Sequence, residues 1–308
     1  MELDEVFGTI RLEETKFMEL KKIKSGYHEI ELINEAGKVV DGVVLAEYFR
    51  QIPGIDKIDS LTITFSSSLE DVSIIKGFPN LVNLIVNGHN IMSLSGLSYF
   101  KNGFYLCIQT ESNRNRCITG IDQVPITRLE LFYENAKDFE VISTSRTISY
   151  LDINYCPQPM FDKWMDVPLD SLQLTGGKFI ELGDTKLVKS LRKLVIVRCK
   201  KFERFVGDNS NITWALIDGC VSLDIKTIKT FIGIEALQIF TNHHEVPLSF
   251  FMKFKKLRKL SLVNCNVLID IQNLKESIPN LETLHITSLK KEQVIELSQL
   301  NEGVKISR

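Results

Sequence analysis

Aliphatic residues recur along this chain in a short pattern that combines a spacing of three with a spacing of two. One example runs from Leu81 through Leu84 and Val86 to Ile91, with polar residues between them. The alternation of Leu84 and Val86 is typical of a short strand with one buried face, and Leu81 and Ile91 lie where the chain enters and leaves it. A single strand of this kind cannot bury its own apolar face, so the pattern predicts neighbours of the same type.

The pattern L-x-x-L-x-L repeats from residue 58 to the C-terminal end. Successive units begin 20 to 24 residues apart, a period that is typical of solenoid repeats. Positions one, four and six of each unit should face the core, whereas positions three, five and seven should face outward from the strand. The predicted units begin at Ile58, Leu81, Gly103, Ile126, Ile148, Leu169, Leu191, Ile212, Ile234, Leu257, Leu281 and Asn301.

This template resembles that of leucine-rich repeat proteins, whose repeats of about 20–29 residues read L-x-x-L-x-L-x-x-N/C-x-L. The resemblance covers residues 58–306, and the irregular register is similar to that of bacterial members. It implies an α/β solenoid, a horseshoe with a parallel concave β-sheet and short irregular, 3₁₀ or helical convex segments. We therefore expect residues 58–308 to form a solenoid of about twelve repeats.

The ninth template position, where the family places asparagine or cysteine, holds Cys156, Cys199, Cys220, Cys265 and Asn242. Four of the six cysteines therefore share one position, which predicts an inward ladder of thiols without a redox or metal role. A strand spacing of about 4.8 Å disfavours most disulfides along such a ladder, and Cys199 and Cys220 are the adjacent pair that needs a check. The sequence departs from the family pattern at Ser66, His89, Glu111, Glu134, Gly177 and Leu289.

Residues 1–57 depart from the repeat and are predicted to form an N-terminal capping region, a hairpin followed by a short helix. Caps cover the unpaired edge strand and the open core at the end of a solenoid. Alternation predicts strands over Phe7–Leu12 and Tyr27–Ile33, with Val39–Leu45 as a hairpin partner of the second strand. Helical spacing over Leu45–Ile52 predicts the helix.

Composition and charge narrow the classes of protein to which the chain can belong. The 308 residues are 44% hydrophobic and 25% charged, and the formal net charge is −2, which gives no general reason to expect a nucleic acid or membrane partner. The acidic start lacks the basic segment of a secretory signal, and no apolar run is long enough to span a bilayer. These features predict a cytoplasmic protein.

Side chains that could carry chemistry are few. The adjacent His243 and His244 would point to opposite sides of an extended chain, so they do not predict a metal site. The sequence contains no glycine-rich phosphate loop, no nucleophile elbow and no C-x-x-C pair. We therefore expect no catalytic residues, no metal and no cofactor. Basic clusters over 192–204 and 253–259 are either solvated flanks of the repeats or a docking site for an acidic partner protein.

The outward positions of the predicted strands hold aromatic residues next to charges. This composition is typical of binding hot spots, although aromatic residues also occur in strands because of their high β propensity. We predict non-catalytic recognition of another protein through this concave face, in a bacterial immunity protein that neutralises a toxin or, alternatively, in a cytosolic scaffold, adaptor or enzyme regulator. The candidate partner-binding residues are Arg128, Glu130, Phe132, Tyr150, Asp152, Tyr155, Trp214 and Asp218.

Overall fold

The chain divides into two compact units, residues 1–151 and 152–308. The computed structural model describes residues 5–6, 8–34, 41–65, 71–88, 94, 96–109, 121–132 and 139–308. In both units, one strand from each repeat enters a sheet, and the residues between two strands return along the other side of the core.

The strands of the first unit follow one another across the sheet in the order of the sequence. The first pair is antiparallel, with Glu5 opposite Ile10, and every later pair of this unit with a described register is parallel. The elements are β1 (Glu5–Val6), β2 (Thr9–Glu13), β3 (Glu29–Asn34), α1 (Gly42–Arg50), β4 (Ser60–Phe65), β5 (Asn83–Gly88), β6 (Tyr105–Gln109), β7 (Arg128–Phe132) and α2 (Phe139–Ile142), and β8 (Tyr150–Asn154) contains the boundary between the units.

The second unit repeats the same parallel arrangement. Its main sheet has the order β9-β11-β13-β14-β15-β16-β17, and β10 pairs in parallel with β12 at a separate place. The elements are β9 (Ser171–Thr175), β10 (Glu181–Leu182), β11 (Lys193–Val197), β12 (Arg204–Phe205), β13 (Trp214–Asp218), β14 (Ala236–Pro247), β15 (Lys259–Leu268), α3 (Leu274–Ser277), β16 (Thr283–Ile286), α4 (Lys291–Leu300) and β17 (Lys305–Ser307).

The strand register confirms the predicted repeat. The fourth template positions lie opposite one another, as in the series Leu61, Leu84, Leu106 and Leu129 of the first unit, and all four side chains are buried. From β4 to β16, each strand of the main sheet begins at the third position of its unit. The corresponding series in the second unit is Leu172, Leu194, Ala215, Leu237, Leu260, Leu284 and Ile306.

The last repeat is shifted relative to the prediction. Val304 was expected at the fourth position, but it is Ile306 that lies opposite Leu284. The reason is helix α4, Lys291–Leu300, which lengthens the return segment before β17. The register therefore begins at residue 303, two residues later than the sequence pattern indicates.

The predicted N-terminal hairpin is wrong over the residues that the structure describes. Strand β3 has parallel neighbours on both sides, β2 and β4, so it has no antiparallel return strand. The stretch predicted to form that strand enters helix α1 at Gly42 instead, because the carboxylate of Asp41 accepts hydrogen bonds from the backbone N–H groups of Val43 and Val44 at 2.9 and 3.1 Å. Residues 39–40 lie outside the described ranges, and a separate capping domain over 1–57 stays a prediction.

The return segments are short 3₁₀ or α-helical pieces, as the period near 22 residues predicts. Examples are Ser73–Gly77, Ile225–Thr230 and Leu248–Lys253. Each ends next to a buried phenylalanine, namely Phe78, Phe231 or Phe254. These rings close the core opposite the sheet, because the aliphatic side chains of the strands do not reach across it alone.

The predicted ladder of thiols, Cys156 included, is present in the described residues. Cys199, Cys220 and Cys265 are buried and free, so the adjacent pair Cys199 and Cys220 forms no disulfide. The neighbouring thiol of Cys199 and burial raise the pKa of Cys220, and burial raises the pKa of Cys265. Each of the three thiols donates to a strand carbonyl of the preceding repeat, at Leu174, Ile196 and Ile239, over 3.6, 3.9 and 3.5 Å.

The eighth template position adopts a left-handed backbone conformation in six successive repeats. The φ angles lie between 53° and 64° in six successive repeats, and in several of them the backbone N–H donates to a carbonyl of the next strand, as Arg198 does to Asp218 at 2.7 Å. Glycine fits this conformation without strain, whereas side chains with a Cβ do not. The residues are Tyr155, Gly176, Arg198, Gly219, Thr241 and Asn264.

Replacing Thr241 by glycine should therefore stabilise the second unit. A left-handed conformation costs a residue with a Cβ roughly 1–2 kcal/mol, and glycine adds about 0.5–1 kcal/mol of chain entropy in the unfolded state. We expect the free energy of unfolding in urea to rise by roughly 0.5–1 kcal/mol. As a matched control, Thr175→Gly changes a threonine within strand β9 and should lower the same quantity; equal signs for both changes would contradict this account.

Candidate binding surface on the sheets

Three outward side chains of the first unit stack on one another. Tyr105, Arg128 and Tyr150 occupy the first residues of β6, β7 and β8, and Tyr105 lies directly opposite Arg128 in the register. The guanidinium carbon of Arg128 is 5.0 Å from the ring centroid of Tyr105 and 4.7 Å from that of Tyr150. Both distances suit cation–π contacts, each of which contributes about 0.5–1 kcal/mol when exposed. Arg128 is therefore held between two rings while remaining open to solvent.

Glu130 fixes one of these rings. The hydroxyl of Tyr105 donates a hydrogen bond of 2.7 Å to the carboxylate of Glu130, one outward position further along β7 than Arg128. Burial raises the pKa of Tyr105, and the hydrogen bond to Glu130 raises it further. The phenol therefore remains a donor throughout the physiological pH range, and the stack is formed before any partner arrives. We refer to Tyr105, Arg128, Glu130 and Tyr150 as the tyrosine–arginine cluster.

On the sheet surface nearer the N-terminal end, polar side chains form hydrogen bonds and ion pairs with one another. The carboxylate of Glu29 accepts hydrogen bonds from the hydroxyls of Thr9 and Thr62 at 2.8 and 3.3 Å. Arg11 forms an ion pair with Glu31 at 3.4 Å. These charges are matched by neighbours on the same sheet, whereas the tyrosine–arginine cluster adds large ring surfaces, which are the usual anchors of protein interfaces.

Asp152 occupies an outward position, where the sequence predicts a charged side chain exposed to solvent, but its side chain is buried. It is only 5% exposed, and its carboxylate accepts a hydrogen bond from the amide of Gln173 at 2.8 Å. A carboxylate in this environment is held by neighbours of its own chain, so direct contact with a partner is not its first role.

The remaining candidates of the second unit lie at the two ends of strands. Trp214 begins β13 and Asp218 ends it, so their Cα atoms are roughly 13 Å apart at about 3.3 Å per residue. Both side chains are partly exposed. Tyr155 follows β8 in the left-handed conformation and is 49% exposed. Within the first unit the structure thus brings Arg128, Glu130 and Tyr150 together, and Phe132 is a partly exposed residue at the end of β7. Within the second unit, Trp214 and Asp218 lie at opposite ends of one strand, and Tyr155 follows another.

Comparison with known proteins identifies the fold. No family model matches the sequence, and no curated protein does. Among solved structures, the Toll–Spatzle complex from Drosophila matches 97% of this chain with a TM-score of 0.56 and 12% identity. The chain has the leucine-rich repeat fold. It spans 47% of the Toll chain, so it corresponds to about half of that larger molecule.

Two further solved structures match the chain at similarly low identity. A TLR13–ssRNA13 complex matches 92% of this chain and is matched over 51% of its own length, with a TM-score of 0.50 and 14% identity. The leucine-rich repeat domain of APL1 matches 86% of this chain and is covered over 82%, with a TM-score of 0.43 and 13% identity. At these identities the likeness concerns the fold alone.

Tyr105 is the residue of the leucine-rich repeat surface that the predicted site omitted. It holds the same template position as Arg128 and Tyr150, so aligning the third positions of consecutive repeats would have found it. Within the described ranges, no group of three His, Cys, Asp or Glu side chains is arranged to hold a metal ion. His243 and His244 are both exposed. No helix among the described residues is both long and apolar enough to cross a bilayer.

Proposed function

We propose that this leucine-rich repeat protein recognises another protein through the outward side chains of its sheets and carries out no chemistry of its own. The tyrosine–arginine cluster is the observation that supports the proposal. Its rings and its guanidinium are ordered by contacts within the chain. A partner that binds there therefore avoids much of the entropic cost of immobilising side chains, about 0.5–1.5 kcal/mol for each.

The chemistry of the cluster favours an acidic group on the partner. Arg128 is covered on its two faces by Tyr105 and Tyr150, which leaves the N–H groups at the edge of the guanidinium plane for a ligand. This edge matches the two oxygens of a carboxylate. We expect an aspartate or glutamate of the partner to bind Arg128.

Capture of the partner from the source cell tests this function. The tagged chain would be incubated with lysate, with and without nuclease, and the bound proteins identified by mass spectrometry. A protein retained after nuclease treatment in stoichiometric amount supports the proposal. Retention of nucleic acid alone, or loss of all bound protein after nuclease treatment, would overturn it.

The double change Trp214→Ala with Asp218→Ala should weaken binding of the captured partner while leaving the thermal midpoint nearly unchanged. Both side chains are partly exposed on β13, so their removal opens no cavity in the core. We expect a loss of about 1–2 kcal/mol, measured as the change in Kd by calorimetry. Ile232→Ala removes an exposed aliphatic side chain outside the strands and serves as the control. If the double variant binds the partner as tightly as the wild type does, the interface consists of other residues.

The more specific role that we propose is that of a bacterial, cytoplasmic immunity protein that neutralises a toxin by occupying its surface. A scaffold, an adaptor or a regulator of an enzyme would use the same binding face, and the identity of the partner separates these roles. The test is direct. The purified chain should inhibit, at equimolar concentration, a toxin encoded beside its gene, and lack of inhibition together with capture of a different partner would favour the alternatives.

A further inference from the structure

The second unit carries a strong local excess of positive charge. Between residues 186 and 259 there are 15 lysine and arginine residues against 6 aspartate and glutamate residues, although the whole chain has a formal net charge of −2. Most of these cations lie in the segments around the strands. Their placement is not explained by the outward face of the sheet, because only Lys193 and Lys259 of this group begin strands of the main sheet.

Four of these cations line one cavity of about 390 Å³, at the edge of the sheet where β11 to β15 begin. They are Lys186, Lys189, Arg192 and Lys256, which come from the segments before β11 and β15. Ser210 and Thr213, which precede β13, add hydroxyl groups to the wall. A cavity of this size suits a small ligand, since binding pockets range from about 300 to 1,000 Å³.

Among the described residues, only Lys186 of these four cations has a carboxylate within ion-pair distance. Lys186 forms an ion pair with Asp208 at 2.6 Å. In the described part of the chain, no carboxylate lies within ion-pair distance of Lys189, Arg192 or Lys256. Three positive charges that share a cavity without a counter-charge repel one another, and a bound anion would remove that repulsion.

The cavity is held in shape by hydrogen bonds that are independent of any ligand. The side-chain amide of Asn211 donates to the carbonyls of Thr185, Val188 and Leu191 at 3.0, 3.2 and 2.9 Å, so it clamps the segment that carries Lys186 and Lys189. Arg192 is fixed in turn, because its Nη1 donates to the carbonyls of Lys189 and Leu191 at 2.7 and 2.9 Å.

Two neighbouring repeats pass close to each other at the wall of the cavity. A Cβ built on Gly233 would lie 2.2 Å from the carbonyl oxygen of Ser210, so a glycine is required where the segment before β14 passes the segment before β13. The backbone of the segment that carries Lys186, Lys189 and Arg192 is therefore held by contacts within the chain.

We propose that this cavity binds a phosphate group, either as free phosphate or as part of a phosphorylated small molecule. A phosphate carries close to two negative charges and several strong acceptor oxygens, which match the point charges of Lys189 and Lys256 and the planar donors of Arg192. Ser210 and Thr213 offer hydroxyl donors to the same oxygens. The site lies at the edge of the sheet and does not depend on partner binding at the outward face of the sheet.

Isothermal titration of the full chain with inorganic phosphate at low ionic strength tests the site. The wild type should show saturable binding with one phosphate per chain. The double variant Lys189→Gln with Lys256→Gln should lose at least about tenfold in affinity, since it removes two of three uncompensated charges. The variant Lys200→Gln with Lys201→Gln removes the same charge from residues that do not line the cavity, and it should bind phosphate as the wild type does. Circular dichroism and the thermal midpoint verify that both variants fold.

Two outcomes would overturn the proposal. The first is no saturable binding by the wild type at millimolar phosphate, and the second is an equal loss of affinity in both double variants, which would mean attraction to the overall charge alone. A second titration with a sugar phosphate and a nucleotide separates the two sources of the group. Tighter binding of a phosphorylated compound than of inorganic phosphate identifies the small molecule, and equal binding identifies free phosphate.

Discussion

Replacing Leu194 by alanine should lower the free energy of unfolding of the second unit by about 2–5 kcal/mol, the range for aliphatic side chains removed from a packed core. Leu194 is fully buried and lies opposite Leu172 and Ala215 in the neighbouring strands. Ala215 is already small, so the strand on that side cannot fill the space. The sheet holds the backbone in register, and the cavity left by the substitution should remain largely open.

Urea unfolding followed by tryptophan fluorescence measures this effect, because both tryptophans of the chain, Trp164 and Trp214, belong to the second unit. Val195→Ala is the matched control. Val195 is the next residue of the same strand and is partly exposed on the outward face, so its truncation should cost clearly less than that of Leu194. Similar costs for the two changes would mean that the inward and outward faces of the strand are assigned incorrectly. Leu260→Ala should behave as Leu194→Ala does.

Replacing Arg128 by alanine should weaken binding of the captured partner by about 2–4 kcal/mol, roughly 30-fold to 1,000-fold in Kd. The substitution removes the donors that we expect to hold an acidic side chain, and it leaves Tyr105 and Tyr150 without the group stacked between them. Loss of both cation–π contacts should also lower the stability of the first unit by about 1–2 kcal/mol, so circular dichroism must show that the variant is folded at the temperature of the titration. The measurement is a titration of the partner into the wild type and the variant.

Two further substitutions show whether the stack itself matters. Arg128→Lys retains the charge but loses the planar group, so it should bind nearly as weakly as Arg128→Ala. Arg11→Ala removes an exposed arginine from the same sheet, where its ion pair with Glu31 at 3.4 Å is matched locally, and it should bind as the wild type does. Wild-type affinity in Arg128→Lys would show that charge alone is recognised, and a comparable loss in Arg11→Ala would locate the interface across the polar strands.

The repeat could be predicted because it depends on the local alternation of aliphatic and polar residues. In each unit, the aliphatic residues at positions four and six lie on the same face of the strand. Because the period is nearly constant, the same face is buried in the next strand. The prediction held even at Gly103 and Ala215, which depart from the template, because the neighbouring repeats set the register there. It failed at the last repeat, where helix α4 adds residues that the spacing did not reveal.

The N-terminal region shows a different limit. Val39–Leu45 has the composition of a strand, yet the described part of it belongs to helix α1. The cap formed by Asp41 and the burial of Leu45, Ala46 and Phe49 favour the helix. The ring of Phe49 lies 5.2 Å from that of Phe78, a contact between segments distant in the sequence. Local strand propensity did not decide the outcome, because packing of these buried residues outweighed it.

By itself, the sequence determined the repeating strand, its inward and outward positions and the thiol ladder, since each depends on residue type at a fixed spacing. The tertiary structure alone decided which outward residues act together. It stacked Tyr105 and Tyr150 on Arg128, buried Asp152, and gathered Lys189, Arg192 and Lys256 around one cavity. These outcomes depend on side-chain directions and on turns between repeats, which bring together residues that are 20 or more positions apart in the chain.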